Sequence, residues 1–503
     1  MTNDVKTQKF DPDNYNHQFT RFTQAYPGYQ ATHVLDELRS RDYARLDQGG
    51  HVYLDYTGGG LYAQSQLQEH MRLLETNVFG NPHSNNPTSS AMTELVDQAR
   101  ACALDFFNAS PDEYVAIFTP NASGALKLVG ESYPFESGGH YLPIFDNHNS
   151  VNGVREFARR KGAEVTYVPM LLPELRVDEE TLFRQLEKVQ PGKHNLLAYP
   201  AQSNFSGVQH PMEWISKAQE MGWDVLLDCA AFAPSNRIDL SRWKPDFVPL
   251  SFYKIFGYPT GVGCLLARKA ALTKLQRPWF AGGTITITSV QGEGWHCLID
   301  DSAGFEDGTV NYLTLPAVEI GLKHIKKIGI DTIHERVACL TGWLLENMTT
   351  LKHSNGAPLV HIYGPTNMEG RGGTIAFNFD DPDGEHFDYR QVEALASQAN
   401  ISLRTGCFCN PGTGEIVHNL TREDMAQAFS QPSSLSFEEF YTLARTGFGK
   451  NPSTIRISVG LVTNFADVYH FMAFAQTFLN RSAAEIAALE LVRPSHASPR
   501  DSA

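Results

Sequence analysis

The sequence is short of positive charge. Of its 503 residues, 41 are Lys or Arg and 56 are Asp or Glu, a net charge of −15. Nucleic-acid binders need clustered cations to neutralise phosphates, and anionic membrane surfaces attract the same groups, so neither is expected as a partner. Long apolar runs are missing as well, with none near the ~18 residues that suggest a spanning helix. The opening MTNDVKTQKFDPDNYNHQF lacks the apolar centre of a secretory signal. The seven cysteines (102, 229, 264, 297, 339, 407 and 409) are odd in number and widely scattered, without the spacing of a disulfide framework. A reducing, cytoplasmic location is the expectation. No internal repeat is found, and no second Cys pair or His pair completes a metal site around Cys407 and Cys409, so no metal is expected.

What is present is an ordinary globular balance, 42% apolar and 19% charged, in a chain long enough to bury a large core. Short apolar runs (VYLDY, YVAIFT, EVTYVP, NLLAYP, DVLLDCA, FVPLSF) alternate with helical patterns such as LVDQARACALDFF and MEWISKAQEMG. That alternation predicts an α/β fold with a large, mixed but mostly parallel sheet, with ligands at the carboxyl ends of its strands. Residues 1–45 read as an N-terminal arm with one amphipathic stretch, and 46–315 as the large domain. Residues 316–487 read as a smaller α+β C-terminal domain with a loop insertion at 411–452, and 488–503 as a disordered tail.

Asp228 ends the buried run VLLD, and Lys254 follows the run FVPLSF. An acid and a lysine at neighbouring strand ends are what pyridoxal 5'-phosphate (PLP) needs. The lysine captures the aldehyde, and the carboxylate keeps the pyridine nitrogen protonated so that the ring draws in electrons. Taken alone, the pair also reads as a solvated lysine and a loop aspartate. Asn121 can cap a helix whose first N–H groups, at Ala122 and Ser123, suit an anion. Ser251 and Tyr253 can add hydroxyl donors, His148 can stack on a ring, and Asn204 can hydrogen-bond a phenolic oxygen. Each equally fits a plain structural role at a strand end or turn.

The segments VYLDYTGGGLYAQSQLQEHM, FGNPHS, FTPNASGALKLVGE, HNSVNGVRE, SFYKIFGYPTGVGCLLAR, FAGGT, FEDGT, RTGCFCNPG and IRISVG run from about 52 to 460. In this order they resemble the class V aminotransferase group of fold-type I PLP enzymes. Within it the resemblance is to cysteine desulfurases, and most to the N-terminal, desulfurase-like domain of molybdenum cofactor sulfurases. The resemblance implies PLP held by Lys254, with Asp228 at the pyridinium, His148 on the ring and Asn204 at the phenolic oxygen. It implies a phosphate site of Ala122, Ser123, Ser251 and Tyr253. Thr309 resembles a threonine that reaches the phosphate of the neighbouring subunit, which implies a homodimer. Arg456 matches the arginine that clamps a substrate α-carboxylate, Arg404 matches a second arginine next to the cysteine loop, and Asn204 is also placed near substrate. Cys409 aligns with the cysteine that becomes a persulfide, with Cys407 a bystander. Lys254 is the implied base for the Cα proton.

The activity so implied is removal of sulfur from L-cysteine, leaving alanine and a Cys409 persulfide for a protein or small-molecule acceptor. The departures point elsewhere. LDYTGGG replaces the family's usual His- or Asn-containing pattern, with Tyr56 and Thr57 where substrate would sit, and GTGEIV follows CNP where a further cysteine is usual. No cofactor-binding C-terminal domain follows in this sequence, so sulfur delivery to a molybdenum cofactor would need a separate partner. Two alternatives stand beside the desulfurase. One is a PLP-dependent C–S lyase, decarboxylase or other amino-acid-transforming enzyme of specialised metabolism. The other is a non-catalytic sulfur-relay or scaffold protein.

Overall fold

The structure, a computed structural model, describes residues 10–82, 84–292, 294–430 and 435–489. Its largest sheet has seven strands in the spatial order Tyr114–Thr119, Gly263–Arg268, Phe247–Ser251, Asp224–Asp228, Asn195–Pro200, His140–Pro143 and Glu164–Val165. Gly263–Arg268 runs antiparallel to both its neighbours, and the remaining pairings are parallel. The central strands are buried along their whole length. Their side chains alternate between two cores, as the period of two demands. Leu197, Tyr199, Val225 and Leu227 face one core. Leu196, Ala198 and Leu226 face the other, beneath the helix Ala122–Ser132.

The second sheet is antiparallel, in the order Val360–Tyr363, Thr374–Phe379, Ile455–Ser458, Arg404–Thr405. The chain's first strand, Val52–Tyr53, pairs in parallel with Ile401–Ser402, and Asp55 bridges to Ser458, so the start of the chain is built into this second unit. From residue 10, the stretch expected as an arm is helical. Phe22 stacks on Phe465 at 4.7 Å, and Trp343 meets Phe465 at 4.9 Å. The ion pairs Arg39–Asp467 and Arg336–Asp36 close over that cluster.

Two expectations change. The helical stretch near 315–350 is two helices, Pro316–Ile328 and Ile330–Thr350, because Gly329 between them has φ +91°. The stretch 411–452, expected as a loop, carries the helices Pro411–Val417, Arg422–Phe429 and Phe437–Gly447. From residue 490 the expected tail lies outside the described residues. No helix among the described residues is long and apolar enough to cross a membrane.

Candidate active site

A cleft of about 700 Å³, counting solvent at its mouth, opens at the carboxyl ends of the parallel strands of the large sheet. Lys254, Asp228, His148, Asn204, Ala122, Ser123, Ser251 and Tyr253 all line it, so one place gathers eight of the predicted residues. The strand register explains this: Pro200 lies beside Asp228 and Ser251 beside Gly263, so the residues following each strand converge on one edge.

Lys254 has no hydrogen bond or ion pair among the described residues. Burial pushes its pKa below that of an ordinary lysine, with Asp228 pulling the other way. The shift is towards the neutral, nucleophilic form of the amine. Asp228 is buried, and its Oδ1 accepts the Ala230 N–H at 2.9 Å. His148 caps the short helix Asn149–Asn152, its Nδ1 accepting from the Ser150 N–H at 3.1 Å. Burial first, then Lys254 and Arg456, lower the His148 pKa against Asp228, which favours a neutral imidazole.

The anion end differs from expectation. Asn121 caps its helix as expected, accepting from Gly124 N–H at 2.9 Å. The Ala122 N–H, however, is donated to Ser251 Oγ at 2.9 Å, so that N–H is not free for an anion in this arrangement, while the Ser251 hydroxyl can still donate. Ser123 Oγ pairs with Ser150 Oγ at 2.6 Å, which adds Ser150 to the hydroxyls at that end. Tyr253 lies alongside Gly59, and burial raises its pKa.

Arg456 and Arg404 are not free cations. Both bind Asp55, which is buried: Arg456 NH2 to Oδ1 at 2.9 Å, and Arg404 NH2 to Oδ2 at 2.6 Å. Arg456 also donates to the Asn204 carbonyl at 2.8 Å, lies 4.7 Å from the Phe408 ring centroid, and leaves Nε without a partner among the described residues. Burial lowers its pKa, whereas the Asp55 hydrogen bonds raise that of Arg404. The three groups carry a net charge of +1, enough for one carboxylate. The glycines of LDYTGGG follow from this packing. A Cβ on Gly58 would lie 2.4 Å from the Asp55 carboxylate, and one on Gly60 2.9 Å from the Lys254 carbonyl.

Cys409 is exposed and lies at the rim rather than among the residues lining the cleft. It lies close to Arg404 and Arg456. Asn204 ties it to the cleft, donating from Nδ2 to the Phe408 carbonyl at 2.7 Å. That places Asn204 on the cysteine turn as well as in the cleft wall. Thr309 lines a separate cleft with Lys127, Glu131, Glu306 and Asn311. Sequence reasoning missed Asp55 and Gln202. Gln202 is buried in the cleft wall and donates to the Ala231 carbonyl at 3.1 Å. An acid inside the apolar run VYLDY and an amide two residues before Asn204 were the available signals.

The aminotransferase class-V family profile matches residues 52–471. The molybdenum cofactor sulfurase of Solanum lycopersicum is 34% identical over 490 residues, 92% of this chain and 59% of that protein. The human molybdenum cofactor sulfurase is 35% identical over 463 residues, 88% of this chain and 51% of that protein. The chain thus spans little more than half the length of these relatives. A cysteine desulfurase from Thermococcus onnurineus NA1 superposes with a TM-score of 0.70 at 22% identity, covering 88% of this chain and 98% of that one. A cystine C–S lyase superposes with a TM-score of 0.64 at 17% identity, covering 85% and 98%. These two likenesses establish the fold.

Proposed function

Because the chain belongs to the aminotransferase class-V family, we propose that it is a PLP-dependent, cysteine desulfurase-like enzyme that moves sulfur from L-cysteine to Cys409 and on to an acceptor. One observation carries the reading: a lysine without a side-chain hydrogen bond among the described residues, a buried carboxylate and a histidine share one cleft whose rim holds a cysteine turn. The donor set fits PLP. Lys254 suits its aldehyde, Asp228 its ring nitrogen, His148 its face, and the Ser123 and Ser150 hydroxyls its phosphate. Bound there, PLP supplies the electron sink that allows bonds around the substrate α-carbon to break.

The chain's own groups do the rest. Arg456 orients the α-carboxylate, with Asp55 holding the guanidinium in place. With PLP held there, the Lys254 amine would be the base that takes the Cα proton. The Cys409 thiolate then attacks the substrate sulfur. The Cβ–S electron pair stays on carbon, which takes up a proton, so cysteine and the Cys409 thiol become alanine and a persulfide.

A second reading, PLP-dependent C–S lysis with Cys409 a bystander, is favoured by the exposure of Cys409 outside the cleft lining. Incubation with cysteine separates the two. The desulfurase gives alanine and one added sulfur on the Cys409 peptide, and Cys409→Ser abolishes both. Pyruvate in place of alanine, undiminished in Cys409→Ser, would replace the first reading with the second. Lys254→Ala is expected to lose the visible cofactor absorbance, and its retention would overturn both.

A further inference from the structure

Asp146 follows the strand His140–Pro143 and precedes His148 by two residues. Its side chain is fully enclosed, 0% exposed. A carboxylate removed from water must be compensated by donors to its charged form. Oδ1 accepts from Ser203 Oγ at 2.7 Å, Asn410 Nδ2 at 2.7 Å and Thr413 Oγ1 at 2.9 Å. Oδ2 faces His210 Nε2 at 3.1 Å, and that buried ring stacks on Trp214. Ser203 immediately precedes Asn204, and Asn410 immediately follows Cys409. A single carboxylate therefore joins the loop before the cleft wall to the chain leaving the cysteine.

The cysteine turn needs such a hold. Cys407–Asn410 is closed by the Asn410 N–H to the Cys407 carbonyl at 3.0 Å. Both central residues, Phe408 and Cys409, have positive φ, 53° and 55°. Two successive left-handed residues make a type I′ turn, which Asn and Gly adopt readily and Cβ-bearing apolar residues resist. Such a turn persists only where its surroundings over-determine it. Asn149 N–H donates to the Cys409 carbonyl at 2.7 Å, and Asn410 Nδ2 also donates to Asn204 Oδ1 at 3.0 Å.

We propose that Asp146 is a positioning residue for Cys409. Its carboxylate fixes the strained turn at the rim of the Lys254 cleft and so sets where the thiol is presented. The catalytic consequence rests on the desulfurase reading, whereas the fixing of the turn does not.

Asp146→Asn preserves shape but removes the negative charge, weakening the charge-assisted hydrogen bonds from Ser203, Asn410 and Thr413. Hydrogen–deuterium exchange is compared in parent and variant, both saturated with PLP. The expected result is about tenfold faster exchange in the peptide 404–416, with parental exchange in the helix Ile330–Thr350. Alanine formation from cysteine is expected to lose kcat, with KM within about twofold because Arg456 is untouched. Asn410→Ala and Thr413→Val, which each cut one tie from the turn side, are expected to move the same peptide the same way, and they decide the matter should Asp146→Asn fail to fold. Parental exchange over 404–416, or equal acceleration in 330–350, overturns the proposal. A parent enzyme that makes no alanine overturns the desulfurase reading, while the exchange result still decides the role of Asp146.

Discussion

Asp55 shows what a single side chain can change. Arg404 and Arg456 read in sequence as cations awaiting a substrate carboxylate, yet Asp55 already occupies both, reaching across 349 and 401 residues of chain. The two pairs should differ in worth. The Arg456 side chain is 3% exposed and that of Arg404 50% exposed. Asp55→Ala leaves a buried guanidinium uncompensated, which costs about 3 kcal/mol or more, while the half-exposed partner is screened by water. In double-mutant cycles on the denaturation midpoint, Asp55 is expected to couple strongly to Arg456 and weakly to Arg404. Equal couplings would mean that burial does not set the value of this network. The contrast also marks what the sequence can disclose. Lys254, Asp228, His148 and Asn204 are legible because each follows a strand whose apolar run is visible, and strand ends of a parallel sheet meet. Asp55 is not, because its role depends on a register between segments hundreds of residues apart.

Among the elements, the helices between 411 and 447 were illegible for a different reason. The helix Arg422–Phe429 is weakly amphipathic, but it and the helix Phe437–Gly447 have starts that are written plainly. Thr421 with Asp424 and Ser436 with Glu439 form capping boxes, each satisfying two N–H groups at a helix start. Caps rather than periodicity carried the signal there. This layer rests on His418, at the end of the first helix, whose Nε2 meets Thr454 Oγ1 at 2.9 Å. Burial first, then the nearby His386 and His361, push the His418 pKa down to about 3. The groups facing it are Tyr363, edge-on at 5.7 Å between ring centroids, and those two histidines, of which His386 is paired with Asp380. Because the folded pKa lies below the unfolded one, the unfolded chain binds the extra proton. Stability is therefore full above about pH 6.5 and falls as the pH drops towards 3. At pH 5 the loss from this one group is about 1–2 kcal/mol. His418→Asn is expected to flatten the decline in Tm between pH 7 and pH 5, while a parental slope would place the acid sensitivity elsewhere.

At the scale of the molecule, the cleft asks for more than one chain supplies. Lys254 is its only cationic lining residue among those described, and the Ala122 N–H is already spent on Ser251. A phosphate dianion there is left with hydroxyls and the helix N-terminus. Thr309 lines a different cleft of its own chain from the one that holds Lys254. A two-stranded hairpin, Ile285–Thr288 with His296–Leu298, exposes Ile287 at 66% and, in its connecting loop, Val290 at 101% and Trp295 at 65%. An isolated hairpin is marginal in water, and apolar residues so displayed mark a surface that another body covers. A second copy of the chain covering that surface, with Thr309 completing the opposite phosphate site, accounts for both features. Mixed subunits test it. Lys254→Ala chains lack the lysine but keep Thr309, and Thr309→Val chains keep the lysine but lack the threonine. If Thr309 acts across the interface, refolding the two together builds one complete site per mixed dimer, and desulfurase activity should exceed that of either variant alone. If Thr309 acts within its own chain, or the chains do not pair, no mixed site is complete and co-refolding recovers nothing.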